Sequence, residues 1–234
     1  MDNIVFYKEK DSLYFQNNPT WHVEDSPWKA TQILKILKRN NIDRKKIAEV
    51  GCGVGEILNQ LHLQLNSQCK FYGYEISPDA FSIAQTRTKE RLSFYEKDIF
   101  EEKLFFDILL VIDIFEHVEN YIDFIRKTKD VAEYKIFHIP LDMNVSNILR
   151  GTPITIVRNK VGHLHYFSKD TALATLNDCG HEVIDFFYTP GMMETEGKSL
   201  KTKLLNPIRR VLFFINPNFA VRLLGGYSLM VLTK

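Results

Sequence analysis

Apolar residues in this chain come in short clusters, separated by stretches in which they recur every three or four positions. The clusters near 46–50, 70–75, 92–96, 106–112 and 134–139 predict strands, and two later clusters, 181–188 and 226–233, predict two more. Ile108–Ile112 holds no polar residue, the signature of a strand covered on both faces. Helical spacing appears near 55–65, 78–90, 115–131 and 169–179, the last capped by Ser168 and stopped at Gly180. Ile33, Leu34, Ile36 and Leu37 predict a further amphipathic helix over Thr31–Leu37, packed on the sheet edge. Strands alternating with helices predict a parallel sheet with crossover helices.

The polar residues that interrupt this pattern gather where strands end. The first strand runs into Glu49-Val-Gly-Cys-Gly-Val-Gly55, and a helix opens at Glu56. Glycines there let the backbone approach a ligand that side chains would exclude. In the dinucleotide fingerprint a third glycine would stand at position 56, where a carboxylate instead repels pyrophosphate from the helix N-terminus. Glu49, before the first glycine, suits a cationic ligand. The second strand ends at Glu75, followed by Ser77 as N-cap and Pro78 at the first helical position. A carboxylate some twenty residues after such glycines can accept both ribose hydroxyls. Asp98 follows the third strand, and Asp113, Glu116 and His117 follow the fourth. Open α/β sheets bind their ligands at this carboxyl edge.

Glu49-Val-Gly-Cys-Gly-Val-Gly55, Glu75-Ile-Ser-Pro78, Lys97-Asp-Ile-Phe100 and Asp113-Ile-Phe-Glu-His-Val118, in this order and spacing, resemble the class I S-adenosylmethionine-dependent methyltransferases. The resemblance spans roughly residues 30–190 and the strand at Tyr227–Thr233, and Ile-Phe-Glu-His-Val is most similar to the small-molecule branch with the ubiquinone-biosynthesis O-methyltransferases. It implies a Rossmann-like, seven-stranded, mostly parallel sheet with helices on both faces, an antiparallel last strand, and N-terminal and late helical caps. It further implies S-adenosyl-L-methionine as cofactor. By the same resemblance Glu49, Gly51, Cys52, Gly53 and Gly55 contact its amino-acid part, and Glu75 with Ile76 binds the ribose. Asp98 and Ile99 flank the adenine, and Asp113, Ile114 and His117 lie beneath the methionine and the acceptor.

A single domain is expected, with 1–44 as a lid or cap and 45–189 as the core. Residues 141–167 and 190–225 form insertions on the substrate side, and 226–234 the last strand. Long insertions in a compact domain are commonly functional, so the acceptor pocket is expected between 1–30, 141–167 and 190–225. Within 18–29, Trp21 and Trp28 beside His22, Glu24 and Asp25 read equally as a lid over the cofactor or as packing, and aromatic faces suit a sulfonium cation.

Methyl transfer to a hydroxyl needs the acceptor aligned and its proton removed, work suited to histidine. His163 and His165, in Gly162-His-Leu-His-Tyr-Phe-Ser168, are the expected bases, because a His-x-His pair in extended chain puts both side chains on one face. His22, His117 and His138 are weaker choices. A cation held by His163, His165, Glu116 and Asp142 is the lesser reading, because carboxylates do not cluster there; no metal is expected. The acceptor is expected to be a small molecule bearing a hydroxyl, amine or sugar. A non-catalytic S-adenosylmethionine-binding regulator or scaffold is the alternative.

Composition excludes some classes. A net charge of +1 over 234 residues gives no nucleic-acid signal. Three cysteines, Cys52, Cys69 and Cys179, lack metal-type spacing and suit a reduced, cytoplasmic setting. No cationic-then-apolar leader opens the chain, and no apolar run reaches membrane-spanning length. The stretch 198–224, with Lys201, Lys203, Arg209 and Arg210 beside Leu212, Phe213, Phe214 and Ile215, has two readings. It is a cap or homodimer contact on an otherwise monomeric domain, or a peripheral contact with an anionic membrane or lipid-linked substrate.

Overall fold

Seven strands pair in the order β3-β2-β1-β4-β5-β7-β6. They are β1 (Lys46–Val50), β2 (Lys70–Glu75), β3 (Leu92–Glu96), β4 (Phe106–Ile112), β5 (Ala132–Pro140), β6 (Val183–Thr189) and β7 (Ser228–Thr233). The structure, a computed structural model, describes residues 18, 20–65, 68–195 and 200–234, without the side chains of 200–203. Residues 1–17 of the expected lid, and the side chains of Lys201 and Lys203, lie outside the described residues. β1 to β5 pair in parallel, while β7 runs antiparallel between β5 and β6. Every expected strand is present.

Period-two alternation sends successive side chains to two separate cores. Ala48, Val50, Leu109, Val111, Phe137 and Val231 face one. Ile47, Ile108, Leu110, Ile136, Met230 and Leu232 face the other. The second core is covered by α1 (Ser26–Arg39), α2 (Glu56–Gln64) and α3 (Pro78–Gln85). The first is covered by α4 (Tyr121–Thr128) and α7 (Lys169–Asp178). Between these last two, α5 (Val145–Arg150) and α6 (Thr152–Val161) follow β5. After β6 come α8 (Gly191–Glu194), α9 (Leu200–Ile215) and α10 (Pro217–Leu223). The two late insertions are therefore helical caps.

Three local expectations are corrected. The helix α1 buries Ala30, Ile33, Ile36 and Leu37 on a face of the sheet, beside α2 and over β6 and β7, and not on its edge. The helix expected over 115–131 divides into a 3₁₀ turn, Phe115–His117, and α4, because the Asn120 side chain accepts from Asp123 N and starts a new helix. Ser77 stands at the N-cap of α3, but its hydroxyl makes no cap bond; Glu75 takes the nearby N–H groups instead. Ser168 does form a reciprocal capping box with Thr171. Cys52, Cys69 and Cys179 are buried and free. Among the described residues, no helix is long and apolar enough to cross a membrane.

Candidate active site

The carboxyl ends of β1, β2, β4 and β5 open into one cavity of about 1150 Å³, closed above by α1, α6 and the segment after β6. Its floor at β1 is the glycine turn, where Gly51, Gly53 and Gly55 all have positive φ. At Gly55 a side chain would collide with the Phe94 ring, so packing alone excludes one. Gly53 differs: a methyl group built there meets no atom within 4 Å. The turn thus presents bare backbone to open space inside the cavity.

Glu75 holds that turn in place. Its Oε2 accepts from Gly53 N at 2.8 Å, and its Oε1 accepts from Ile76 N and Ser77 N, both at 2.8 Å. Burial raises its pKa, and these three N–H groups oppose the rise. Glu49 lies behind the turn, buried, with Oε2 making no hydrogen bond. Burial pushes its carboxyl well above the ordinary range, opposed by the Lys29 ammonium. A buried carboxylate oxygen without a partner invites a cation. Both groups fit the expected cofactor, whose ammonium Glu49 can neutralise and whose ribose Glu75 can bind. Trp21, His22 and Trp28 wall the same region, and Trp21 and His22 hold left-handed φ of 49° and 54°. For residues with side chains that is strained backbone of the kind found at ligand sites.

Beneath the centre of the cavity a polar relay joins four elements. Asp113, itself at a left-handed φ of 52°, accepts from Lys29 Nζ at 2.7 Å and pairs with His138 Nδ1 at 2.6 Å. His138 Nε2 meets Thr189 Oγ1 at 2.9 Å. Burial alone would raise the Asp113 carboxyl, but His138 and Lys29 outweigh it and hold it well below the usual carboxylate range. Burial would likewise lower Lys29, and Asp113 reverses the sign. The relay ties α1, which carries Lys29 and Trp28, to the sheet floor.

The far end of the cavity is imidazole-rich. His117 and His163 stand edge to face with centroids 4.7 Å apart, and His163 Nδ1 pairs with Asp142 Oδ2 at 2.7 Å. Burial, with His163 adding, pushes His117 down to about 3, so its ring is neutral. Glu116 is wholly buried beside them, and its two oxygens accept from no group other than its own backbone N–H. One donor atom from each of Glu116, His117 and His163 lies within 4.8 Å of the others. Such a set can hold a divalent cation, with Asp142 behind His163 and the Gly162 backbone behind His117 as orienting groups. The set shares Glu116 and His163 with the lesser, metal-holding reading of the sequence.

Of the residues expected in the site, Glu49, Gly51, Cys52, Gly53, Glu75, Ile76, Asp113, Ile114, His117 and His163 line the cavity. Gly55, Asp98, Ile99 and His165 do not. Asp98 caps the turn Ile99–Glu101 through Phe100 N at 3.0 Å, and Ile99 is buried in the core. The expectation that His163 and His165 share a pocket face is corrected: His165 Nε2 bonds Val118 O at 3.0 Å, and its ring lies 4.3 Å from that of Tyr121. Both backbone amides at 164 and 165 bond Glu116 O, which twists the segment and separates the rings. Lys29, Arg150 and Arg209 line the cavity without any local sequence signal. His138 is brought there by strand register, since Ile112, the residue before Asp113, pairs with it across β4 and β5.

Residues 42–151 match the pattern of a family described as a methyltransferase domain. No curated protein matches the chain by sequence. Among solved structures it is similar to magnesium protoporphyrin IX methyltransferase from Synechocystis PCC 6803 with bound S-adenosylhomocysteine, at 13% identity and a TM-score of 0.59, over 98% of this chain and 91% of that one. It is similar to the N-methyltransferase NodS from Bradyrhizobium japonicum WM9, also with S-adenosylhomocysteine, at 15% identity and TM-score 0.55, over 94% and 97%. A putative methyltransferase in complex with the Haloferax volcanii Trm112 activator is similar at 12% identity and TM-score 0.63, over 93% of each chain. These likenesses are of fold.

Proposed function

We propose, from the premise that this chain belongs to the class I S-adenosylmethionine-dependent methyltransferases, that it methylates a hydroxyl of a small-molecule acceptor. The observation that carries this reading is the continuity of one cavity from the bare turn at Gly53 to the imidazoles of His117 and His163. Bound S-adenosylmethionine supplies an electrophilic methyl group and a thioether leaving group. Lys29, Asp113 and His138 fix the floor between cofactor and acceptor. Asp142 holds His163 through Nδ1, so Nε2 is the nitrogen that can take the hydroxyl proton as the C–O bond forms. Calorimetric titration with S-adenosylmethionine, with NADH as control, tests the premise; binding of NADH alone would overturn it. A regulator or scaffold would bind the cofactor equally, so the reading also requires S-adenosylhomocysteine to be released when small-molecule acceptors are added.

A second reading of the acceptor end is favoured by the buried Glu116 carboxyl, which accepts only from its own backbone N–H and stands 3.9 Å from His117 Nε2. A divalent cation held by Glu116, His117 and His163 would acidify an acceptor hydroxyl as a Lewis acid. Metal analysis of the purified protein, with melting curves in added Mg²⁺, Mn²⁺ and Zn²⁺, should show a bound cation whose stabilisation disappears in Glu116→Gln. Melting curves unmoved by all three cations would leave His163 as the base.

A further inference from the structure

The helices α5, α6, α9 and α10 carry an exposed apolar surface in addition to the residues that line the cavity. On α9, Leu204, Ile208, Val211 and Ile215 recur at one-face spacing, and they are 77%, 55%, 58% and 72% exposed. The other side of the helix is apolar too, with Leu212 and Phe213 packed on the core. Phe214, next in line, is 90% exposed, so α9 carries apolar side chains well beyond the side that faces the core. The helix α10 packs on both α9 and α5, where Ile148 and Leu149 are also bare. Exposed apolar residues on one contiguous set of elements mark a contact surface.

Charge identifies its occupant. From Met143 to Lys169, and again from Gly197 to Lys234, the chain has no aspartate or glutamate, although it has 29 elsewhere and a net charge of only +1. Arg150, Arg158, Lys160 and Arg210 are exposed on these helices. A second copy meeting this face across a two-fold axis would set cation against cation. Nucleic acid would leave the isoleucines and Phe214 in water. Apolar side chains ringed by lysine and arginine match an anionic lipid surface.

We propose that the cap formed by α5, α6, α9 and α10 docks on an anionic membrane surface, with α9 lying in the interface. Ile156 is 46% exposed and also lines the cavity, as do Arg150 and Arg209. The acceptor end therefore opens beside the docked face. That an amphipathic acceptor enters from the lipid rests on the methyl-transfer reading; the docking itself does not.

The test is cosedimentation of the full chain with vesicles of phosphatidylglycerol in phosphatidylcholine, and of phosphatidylcholine alone. The protein should pellet with the anionic vesicles and remain largely in solution with the neutral ones. High salt should weaken that binding without abolishing it. The triple variant Ile208→Gln, Val211→Gln, Ile215→Gln keeps helix-forming residues on an exposed face. It should lose binding by about tenfold or more, with unchanged melting temperature and unchanged S-adenosylmethionine affinity. Absence of vesicle binding in the wild type would overturn the proposal, as would a dimer in light scattering that the triple variant abolishes. Vesicle binding without cofactor binding would instead overturn the enzymatic reading and leave the docking intact.

Discussion

Glu75 accepts three backbone N–H groups from two loops, so its carboxylate shapes the turn as well as the ligand. Glu75→Ala should weaken S-adenosylmethionine binding by about 1–3 kcal/mol, the range for a buried group left unpaired, as read by calorimetry; unchanged affinity would remove it from the site. The two histidines of the Gly162–Ser168 segment are expected to separate. His163→Ala should lower turnover by about 10²–10⁴-fold with cofactor affinity unmoved, whereas His165→Ala should lower the melting temperature and spare turnover. Equal kinetic losses in both would contradict the geometry. Glu49, Gly53 and Glu75 were legible in the sequence because local rules act there: positive φ favours glycine, and open α/β sheets carry their ligand-binding groups where strands end. His165 was misread because alternation assumes extended backbone, and Glu116 O binds two successive amides and breaks it.

The helix α1 and strands β4 to β6 are linked through Lys29, Asp113, His138 and Thr189. Removing the ammonium leaves the Asp113 carboxylate without its cation, with the His138 ring as its remaining hydrogen-bond partner. Lys29→Met should therefore destabilise the fold by about 2–3 kcal/mol, below the full loss of a buried pair, and should loosen α1 over the cavity. Urea unfolding and hydrogen exchange in α1 would measure both effects; a variant as stable as the wild type would show that the pair contributes nothing. The strands were legible as elements because each is a short stretch rich in apolar residues, bounded by turn signals. The helices α5 and α6 were not, because they bury no residue deeply and so show no core-facing stripe. The break at Asn120 is a side-chain cap, which periodicity does not register.

Acid stability belongs to the whole molecule, because His181 joins α4 to β7. Its ring meets Thr128 Oγ1 at 3.3 Å, Ile125 O at 3.0 Å and Thr233 Oγ1 at 3.1 Å. Burial pushes it down to about 4, from 6.5 when unfolded. The unfolded chain therefore binds a proton that the folded chain refuses. This contribution is complete above pH 6.5 and is lost as the pH falls towards 4. His181→Gln should flatten stability against pH between 6 and 4.5 by up to about 1.4 kcal/mol per pH unit, one proton's worth. Urea titrations across that window test it, and an unaltered slope would exclude His181. The fold class was readable because parallel strands announce themselves singly. The pairing of β7 between β5 and β6 was not, since strand order depends on contacts far apart in the chain.

That pairing has a consequence in time. β5 is complete at Pro140, but its partner begins only at Ser228. During synthesis at about 5–20 residues per second, the intervening stretch of about 90 residues takes roughly 5–20 s to emerge. Throughout that interval the apolar edge of β5 has no strand beside it, and β6 has none to join. Unpaired edges recruit other chains. The nascent protein is thus most prone to misassembly just before its last strand arrives, and slowing translation between β6 and β7 should lower soluble yield more than slowing it anywhere before β5.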